Sequence, residues 1–182
     1  MKIEETFIKD LLIVEPTVFG DERGYFFEAY SKTKFQNLGI DIEFVQDNQS
    51  FSKKDTLRGL HYQNPPFAQT KLVRVLEGEI MDVAIDLRKD SSTYGKSFSI
   101  LLSAENKKQL LVPQGFAHGF SVLSETASVM YKCDQFYNKG SEGGIKFDDP
   151  SLSIDWGIDL NDAIVSEKDQ VLPFIQNCNS LF

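Results

Sequence analysis

The chain has 182 residues, a net charge of −8 and a hydrophobic content of 41%, which is enough for one sizeable core. This acidity argues against nucleic acid or an anionic membrane as the main partner, because both attract cationic surfaces. The two cysteines are too few for a disulfide framework, and neither a signal peptide nor a membrane-spanning run is recognisable. We therefore expect a soluble, cytoplasmic protein with a single domain over residues 1–182.

Short segments of alternating apolar and polar residues, separated by turn-forming clusters, run along most of the chain. The first predicted element is a short helix with Ser31 as its N-cap and Gly39 past its end. Strands with period-two alternation follow at 71–75, 79–87, 97–103, 112–120 and 127–133. A second short helix is predicted around residues 166–169. About ten half-buried strands of this kind predict an all-β protein, a double-sheet jelly roll or cupin-like β-barrel with a few short helices.

Three ionisable residues fall on otherwise apolar strand faces: Lys71, His118 and Tyr131. In a small barrel, inward-facing residues of different strands point into a common cavity. A single inward histidine or tyrosine is usually a core residue with satisfied hydrogen bonds, whereas a buried lysine is rare unless it is paired or functional. Their convergence on one face favours a functional site.

A metal site is the first interpretation of such a cavity, because cupins hold a divalent metal through H-x-H, a nearby carboxylate and a P-x-G-x-x-H strand. Residues 113–118 match the last element. Gln63 stands where a second histidine should follow His61, and the next ionisable residue is Lys71, a cation that repels a metal ion. The sequence therefore predicts a cupin scaffold without its metal.

Proton transfer is the second interpretation. A histidine is the usual general base near neutral pH, an opposed tyrosine can return a proton from the other side, and a lysine can stabilise an enolate oxygen. These groups are what the inversion of a carbon next to a carbonyl requires.

The cations Arg23, Arg58 and Lys168 suit a phosphate or pyrophosphate group, although a solvated turn residue is the favoured interpretation of Arg23 taken alone. Arg58 has the opposite strand parity to His61. Both can face one cavity only if Gly59 carries a bulge or twist.

Eight segments, in order along nearly the whole chain, resemble the dTDP-4-dehydrorhamnose 3,5-epimerase family: residues 21–30, 44–52, 57–88, 91–96, 112–120, 131–137, 148–156 and 166–169. The most distinctive are "DERGYFFEAY", "LRGLHYQNPP" and "VPQGFAHGF". The resemblance implies conversion of dTDP-4-dehydro-6-deoxy-D-glucose to dTDP-4-dehydro-L-rhamnose in deoxysugar biosynthesis, without a metal or cofactor.

The resemblance also implies roles for individual residues. His61 would be the base, Asp169 would orient it, Tyr131 would be the acid, and Lys71 would hold the enolate oxygen. The positions that match ligand contacts of the family are Arg23, Glu28, Gln46, Asp47, Asn48, Arg58, Lys71, His118, Tyr137, Glu142 and Lys168. The family is homodimeric with exchanged N-terminal strands, so residues 21–28 would serve the neighbouring subunit's site.

Two alternatives stay open at the level of sequence. One is an enzyme that inverts a single carbon or acts on another nucleotide-linked 4-keto sugar, because base and acid would be the same. The other is a cupin that binds a sugar nucleotide without turnover.

Overall fold

The computed structural model describes residues 1–182, and strands make up most of its regular structure. In chain order they are β1 (Lys2–Glu5), β2 (Leu12–Glu15), β3 (Phe19–Asp21), β4 (Gly24–Phe26), β5 (Gln46–Lys53), β6 (Thr56–Gln63), β7 (Lys71–Glu77), β8 (Glu79–Asp86), β9 (Ser97–Ser103), β10 (Gln109–Val112), β11 (Phe116–Val122), β12 (Thr126–Cys133), β13 (Glu142–Gly144) and β14 (Ile164–Val165). The predicted number of about ten is exceeded because several strands have only two to four residues.

The helices are short and lie where the sequence predicts them. Helix α1 (Lys32–Asn37) begins after Ser31, and α2 (Glu167–Gln170) begins after Ser166, whose hydroxyl accepts a hydrogen bond from the Asp169 N–H. Two 3₁₀ turns (Lys139–Ser141 and Ile175–Asn177) complete the elements. None of the helices has the length and apolar character needed to cross a membrane.

Two sheets face each other around one apolar interior. The first sheet has the order β1-β2-β10-β7-β12-β5, and the second has the order β13-β6-β11-β8-β9, with β14 added in parallel beside β6. Strands of both sheets contribute to the central cluster, among them Val73 and Val129 from the first and Ile80 and Phe120 from the second. This confirms the predicted double-sheet jelly roll.

Strand β8 differs from the prediction of a half-buried strand. Its inner face adds Ile80 and Ala84 to the central cluster, while Val83 and Ile85 pack into a second cluster with Trp156. The chain beyond β13 therefore covers the outside of the second sheet. Strand β8 is therefore buried on both faces, because the C-terminal segment covers the face that would otherwise contact solvent.

A bulge at Gly59 decides which side chains of β6 face the interior. Against β11, Arg58 pairs with Phe120 but His61 pairs with His118, so β6 has one extra residue. Gly59 adopts φ +122°, and a Cβ there would lie 2.6 Å from the Gly119 Cα and 2.9 Å from the His118 carbonyl oxygen. Arg58 and His61 have opposite strand parity, and the bulge lets both of them line the same cavity.

We predict that Gly59→Ala lowers both stability and activity. A left-handed backbone costs a residue with a side chain about 1–3 kcal/mol, and a shift of β6 would misplace His61, for which losses of roughly 10²-fold are common. Gly39→Ala is the matched control, because Gly39 also has a positive φ (+83°) but open space around it. Thermal unfolding and turnover of both variants check this; equal effects in the two would show that the bulge has no special role.

Candidate active site

A cavity with a volume of about 650 Å³ lies between the two sheets. A smaller cavity of about 150 Å³ adjoins it. Only His61, Lys71 and Tyr131 line both cavities. The residues that the sequence singles out for chemistry therefore stand at the junction of the two spaces.

His61 is held by the carboxylate of Asp169. The His61 Nε2 lies 2.6 Å from Asp169 Oδ1, and the other carboxylate oxygen accepts a hydrogen bond from the Gly59 N–H at 3.2 Å. Burial alone would raise the pKa of Asp169, but the bonds from His61 and Gly59 outweigh it and hold this pKa below its ordinary value. The ionised carboxylate therefore accepts the Nε2 proton, and Nδ1 of His61 is the atom free to act as a base.

Tyr131 belongs to β12 in the opposite sheet and faces His61 across the barrel. Burial raises the pKa of Tyr131, and the cation of Arg58 partly offsets this. The phenol therefore keeps its proton at neutral pH, which suits a group that donates a proton.

Lys71 opens β7 beside Cys133 of β12, with its ammonium 5.9 Å from the centre of the Tyr131 ring. The side chain forms neither a hydrogen bond nor an ion pair within 4 Å. Desolvation lowers the pKa of Lys71, and nearby acidic groups counteract this. An ammonium without a fixed partner at the edge of a cavity is available to an anionic or carbonyl oxygen of a ligand.

A second histidine–carboxylate pair lies next to the first. His118 is opposite His61 in the register of β11 and β6, and its Nε2 lies 2.9 Å from Asp82 Oδ1. Asp82 is not among the residues expected in the site, because the alternation along residues 79–87 places it on the face opposite the apolar residues Val83 and Ile85. Side chains two residues apart on a strand point to the same face, and Asp82 lies between Ile80 and Ala84, which both face the interior. This shared parity is the feature of the sequence that places Asp82 inside the barrel.

Seven of the other expected ligand contacts divide between the two cavities. Arg58, His118 and Lys168 line the larger one, and four line the smaller one: Gln46, Asn48, Tyr137 and Glu142. An ion pair between Lys168 and Glu142 links the two groups. Residues of the larger cavity that sequence reasoning did not find include Gln49, Ser52, Lys53, Thr56 and Ser166.

Three expected contacts lie outside the cavities of their own chain. Arg23 is exposed and paired with Asp21 at 2.5 Å, and Glu28 is paired with Lys34. Asp47 is bonded to Lys132 at 2.9 Å. Their assignment to a ligand site stays a prediction.

Gln63 occupies the position where a metal-binding cupin has a histidine ligand, and both polar atoms of its side chain form hydrogen bonds with the main chain. The amide nitrogen of Gln63 donates to the carbonyl of Phe67 at 2.6 Å, and its oxygen accepts from the Asn138 N–H at 2.8 Å. No group of three or more histidine, cysteine or acidic side chains is arranged to hold a metal ion. Gln63 is therefore not free to act as a metal ligand.

An oriented base, an opposed proton donor and a free ammonium occur together at one point of a barrel cavity. They can remove a proton next to a carbonyl, hold the resulting enolate and return a proton from the other side. The fold and the site together define a jelly-roll isomerase that works by proton transfer.

Comparisons with known proteins agree. The family model described as dTDP-4-dehydrorhamnose 3,5-epimerase matches residues 5–177. The enzyme of that name from Shigella flexneri is 52% identical over 93% of each chain. The crystal structure of the one from Elizabethkingia anophelis is 57% identical over 97% of each chain, with a TM-score of 0.92. The Legionella pneumophila structure, in complex with dTDP-4-keto-L-rhamnose, is 46% identical over 97% of this chain and 93% of its own, also with a TM-score of 0.92. The chain belongs to the dTDP-4-dehydrorhamnose 3,5-epimerase family.

We predict that the purified enzyme contains no stoichiometric metal and that chelators leave its activity unchanged. The reason is the donor set, in which Gln63 is committed to the main chain and Lys71 would repel a divalent cation. Elemental analysis and turnover after EDTA treatment check this. One transition metal per subunit, together with loss of activity in EDTA, would contradict the prediction.

Proposed function

We propose that the chain inverts C3 and C5 of dTDP-4-dehydro-6-deoxy-D-glucose to give dTDP-4-dehydro-L-rhamnose, a step of dTDP-rhamnose biosynthesis. The observation that carries the proposal is the opposition of the His61–Asp169 pair and Tyr131 across the barrel, with Lys71 between the sheets. A proton that returns to the face it left restores the original configuration, whereas a proton donated from the opposite face inverts the carbon. An inversion therefore needs a base and an acid on opposite sides of the sugar ring.

The first step removes a proton from C3 or C5, both of which the C4 ketone makes acidic. His61 Nδ1 takes the proton, and the electron pair of the C–H bond moves into an enolate whose negative charge rests on the C4 oxygen. Asp169 stabilises the imidazolium that forms and keeps its ring in place. The ammonium of Lys71 stabilises the enolate oxygen.

The second step returns a proton from the opposite face. Tyr131 gives its phenolic proton to the same carbon, and the enolate electrons re-form the ketone with inverted configuration. The positive charge of Arg58, which lowers the pKa of Tyr131, stabilises the tyrosinate that remains. Solvent then restores the proton of Tyr131 and removes that of His61.

The nucleotide is held by local cations, because the net charge of −8 provides no general attraction for a diphosphate. Arg58 and Lys168 in the larger cavity suit the diphosphate oxygens. The remaining ligand contacts carried over from the family are Gln46, Asp47, Asn48, His118, Tyr137 and Glu142.

A homodimer with exchanged N-terminal strands would account for two of the three contacts that lie outside the cavities. The hairpin of β3 and β4 exposes Phe19 and Phe26, and Arg23 and Glu28 belong to the same segment. In a dimer these apolar side chains would be covered, and Arg23 and Glu28 would reach the partner's site. The proposal also includes a single domain over residues 1–182 and a cytoplasmic location, with which two free cysteines agree.

The two halves of the mechanism are separable by isotope exchange in heavy water. His61→Asn should lose both deuterium incorporation at C3 and C5 and inversion, by at least the ~10²–10⁴-fold that general base catalysis supplies. Tyr131→Phe keeps His61 as the base and Lys71 as the group that stabilises the enolate oxygen. Deuterium should therefore enter the sugar faster than the inverted product forms. Mass spectrometry and NMR of the recovered sugar nucleotide measure both quantities.

The wild-type enzyme is the reference, and it should place label at both carbons. Label at one carbon alone would identify a mono-epimerase. Equal loss of exchange and inversion in Tyr131→Phe would reduce the tyrosine to an ordering role, and exchange that survives in His61→Asn would exclude His61 as the base.

Complementation between two inactive variants tests whether Arg23 serves the partner subunit. Dimers of Arg23→Ala and dimers of His61→Asn should each be impaired. A mixed dimer would combine both changes in one site and leave the other intact, so refolded mixtures should recover about a quarter of wild-type activity. His61→Asn mixed with Lys71→Gln is the control: both residues line one subunit's site, so every site of the mixed dimer would carry one change and no activity should be recovered. Absence of recovery in the mixture of Arg23→Ala and His61→Asn would contradict the exchanged arrangement.

A further inference from the structure

The loop between β12 and β13 crosses from the first sheet to the second beside the smaller cavity. It begins after Cys133 and ends at Glu142, with Tyr137 near its middle. Tyr137 lines this cavity, although 57% of the residue is exposed. Connecting loops on a protein surface are usually mobile. A fixed position for the Tyr137 ring therefore needs contacts from outside the loop.

Two glutamine side chains supply such contacts, one from each sheet. Gln63, the last residue of β6, accepts a hydrogen bond from the Asn138 N–H at 2.8 Å and donates one to the Phe136 carbonyl at 3.3 Å. Gln46, the first residue of β5, accepts a hydrogen bond from the Tyr137 N–H at 3.1 Å. The main chain of Tyr137 and of both its neighbours is thus bonded to side chains of the barrel.

Gln63 is itself held firmly. The residue is only 5% exposed, and its amide nitrogen also donates to the Phe67 carbonyl at 2.6 Å, so both amide hydrogens and the amide oxygen are used. Its main chain pairs with Glu142 of β13. A side chain fixed in this way transfers the position of β6 to the loop. An apolar side chain of similar length could fill the same space but would leave these main-chain groups without their partners.

The outer end of the Tyr137 side chain is held as well. Its hydroxyl donates to Glu142 Oε2 at 3.3 Å, and the other oxygen of Glu142 is paired with Lys168, which lines the larger cavity. The ring is therefore fixed at its main chain by the two glutamines and at its hydroxyl by Glu142.

We propose that Gln63 is a positioning residue that acts through Tyr137: it clamps the main chain on both sides of Tyr137 and so holds the aromatic ring at the wall of the smaller cavity, where the sugar nucleotide binds. The inference rests on the proposed function, in which Tyr137 is a ligand contact. It gives a reason for a buried amide at the position where a metal-binding cupin has a histidine. The polar side chain there serves the loop that contacts the substrate.

Hydrogen exchange, followed by NMR, tests the clamp without reference to the reaction. In the wild type, the Tyr137 and Asn138 amides should be protected although their loop is exposed. Gln63→Met keeps the length of the side chain and removes its hydrogen bonds. The Asn138 amide should then exchange about tenfold faster, the factor that corresponds to about 1.4 kcal/mol. Unprotected amides in the wild type, or unchanged exchange in Gln63→Met, would overturn the proposal.

Steady-state kinetics with the dTDP-4-keto sugar test the consequence for the substrate. Gln63→Met should raise KM about tenfold and leave kcat within about twofold of wild type, because a ligand contact is misplaced while the proton-transfer groups stay in position. If Gln63→Met does not fold, Gln63→Glu is the second variant. It keeps an acceptor for the Asn138 N–H but turns a carboxylate oxygen toward the Phe67 and Phe136 carbonyls, and it should raise KM in the same way.

Asn64→Leu is the matched control. Asn64 is the next residue, is 6% exposed, and also holds main chain at two points: it donates to the Asn179 carbonyl at 3.1 Å and accepts from the Leu181 N–H at 2.9 Å. It lines neither cavity. This variant should lower the Tm without changing KM. An equal rise of KM in Asn64→Leu and Gln63→Met would reduce Gln63 to a general support of the fold.

A double-variant cycle decides whether Gln63 acts through Tyr137. In a Tyr137→Ala background, a further Gln63→Met change should alter KM by less than about twofold, because the ring that it positions is absent. Increases of KM that multiply independently would overturn the proposal. Failure of the proposed function is a different result, since the wild type would then show no turnover of the sugar nucleotide, whereas the protection of the Tyr137 and Asn138 amides would be unaffected.

Discussion

The carboxylate of Asp169 joins three parts of the molecule that the reaction needs together. It accepts hydrogen bonds from the His61 ring and from the Gly59 N–H, and it lies on α2, more than a hundred residues further along the chain. The orientation of the base, the bulge of β6 and the docking of α2 therefore depend on one side chain. Since the bulge also turns Arg58 inward, the contact influences the proton-transfer groups and the diphosphate contacts alike.

The interior of the barrel combines an apolar core with groups that are costly to bury. Lys71 and Tyr131 lie beside the cluster that contains Val73 and Val129, and burial shifts the pKa of each toward its neutral form. For Tyr131 this shift is useful, because a proton donor must keep its proton until the enolate forms. For Lys71 it is unfavourable in the proposed mechanism, because the lysine would act there as a cation. The same low-polarity environment thus supports one proposed role and opposes the other.

Period-two alternation was sufficient to place His118, Tyr131 and Lys71 in one cavity, because strand parity is a local property. It was not sufficient for Asp82: whether an acidic residue on a strand faces solvent depends on what covers each side, and Trp156 reaches the outer face from a distant part of the chain. The bulge at Gly59 was recognisable only because Arg58 and His61 had conflicting parity. Arg23 is a different case, since in the proposed dimer the groups that it contacts would belong to another copy of the chain, and no pattern within one sequence locates them.

One set of groups can serve both inverted carbons because C3 and C5 flank the same carbonyl. Either enolate places its charge on the C4 oxygen, so Lys71 can stay fixed while the carbon under attack changes. His61 is fixed as well, because Asp169 holds Nε2 and leaves only Nδ1 to reach the sugar. In the proposed mechanism the sugar, not the protein, would therefore move between the two steps. The space for this movement lies where the larger and the smaller cavity meet, at the three side chains that line both. Fixed catalytic groups and a movable substrate would let one base and one acid carry out both inversions.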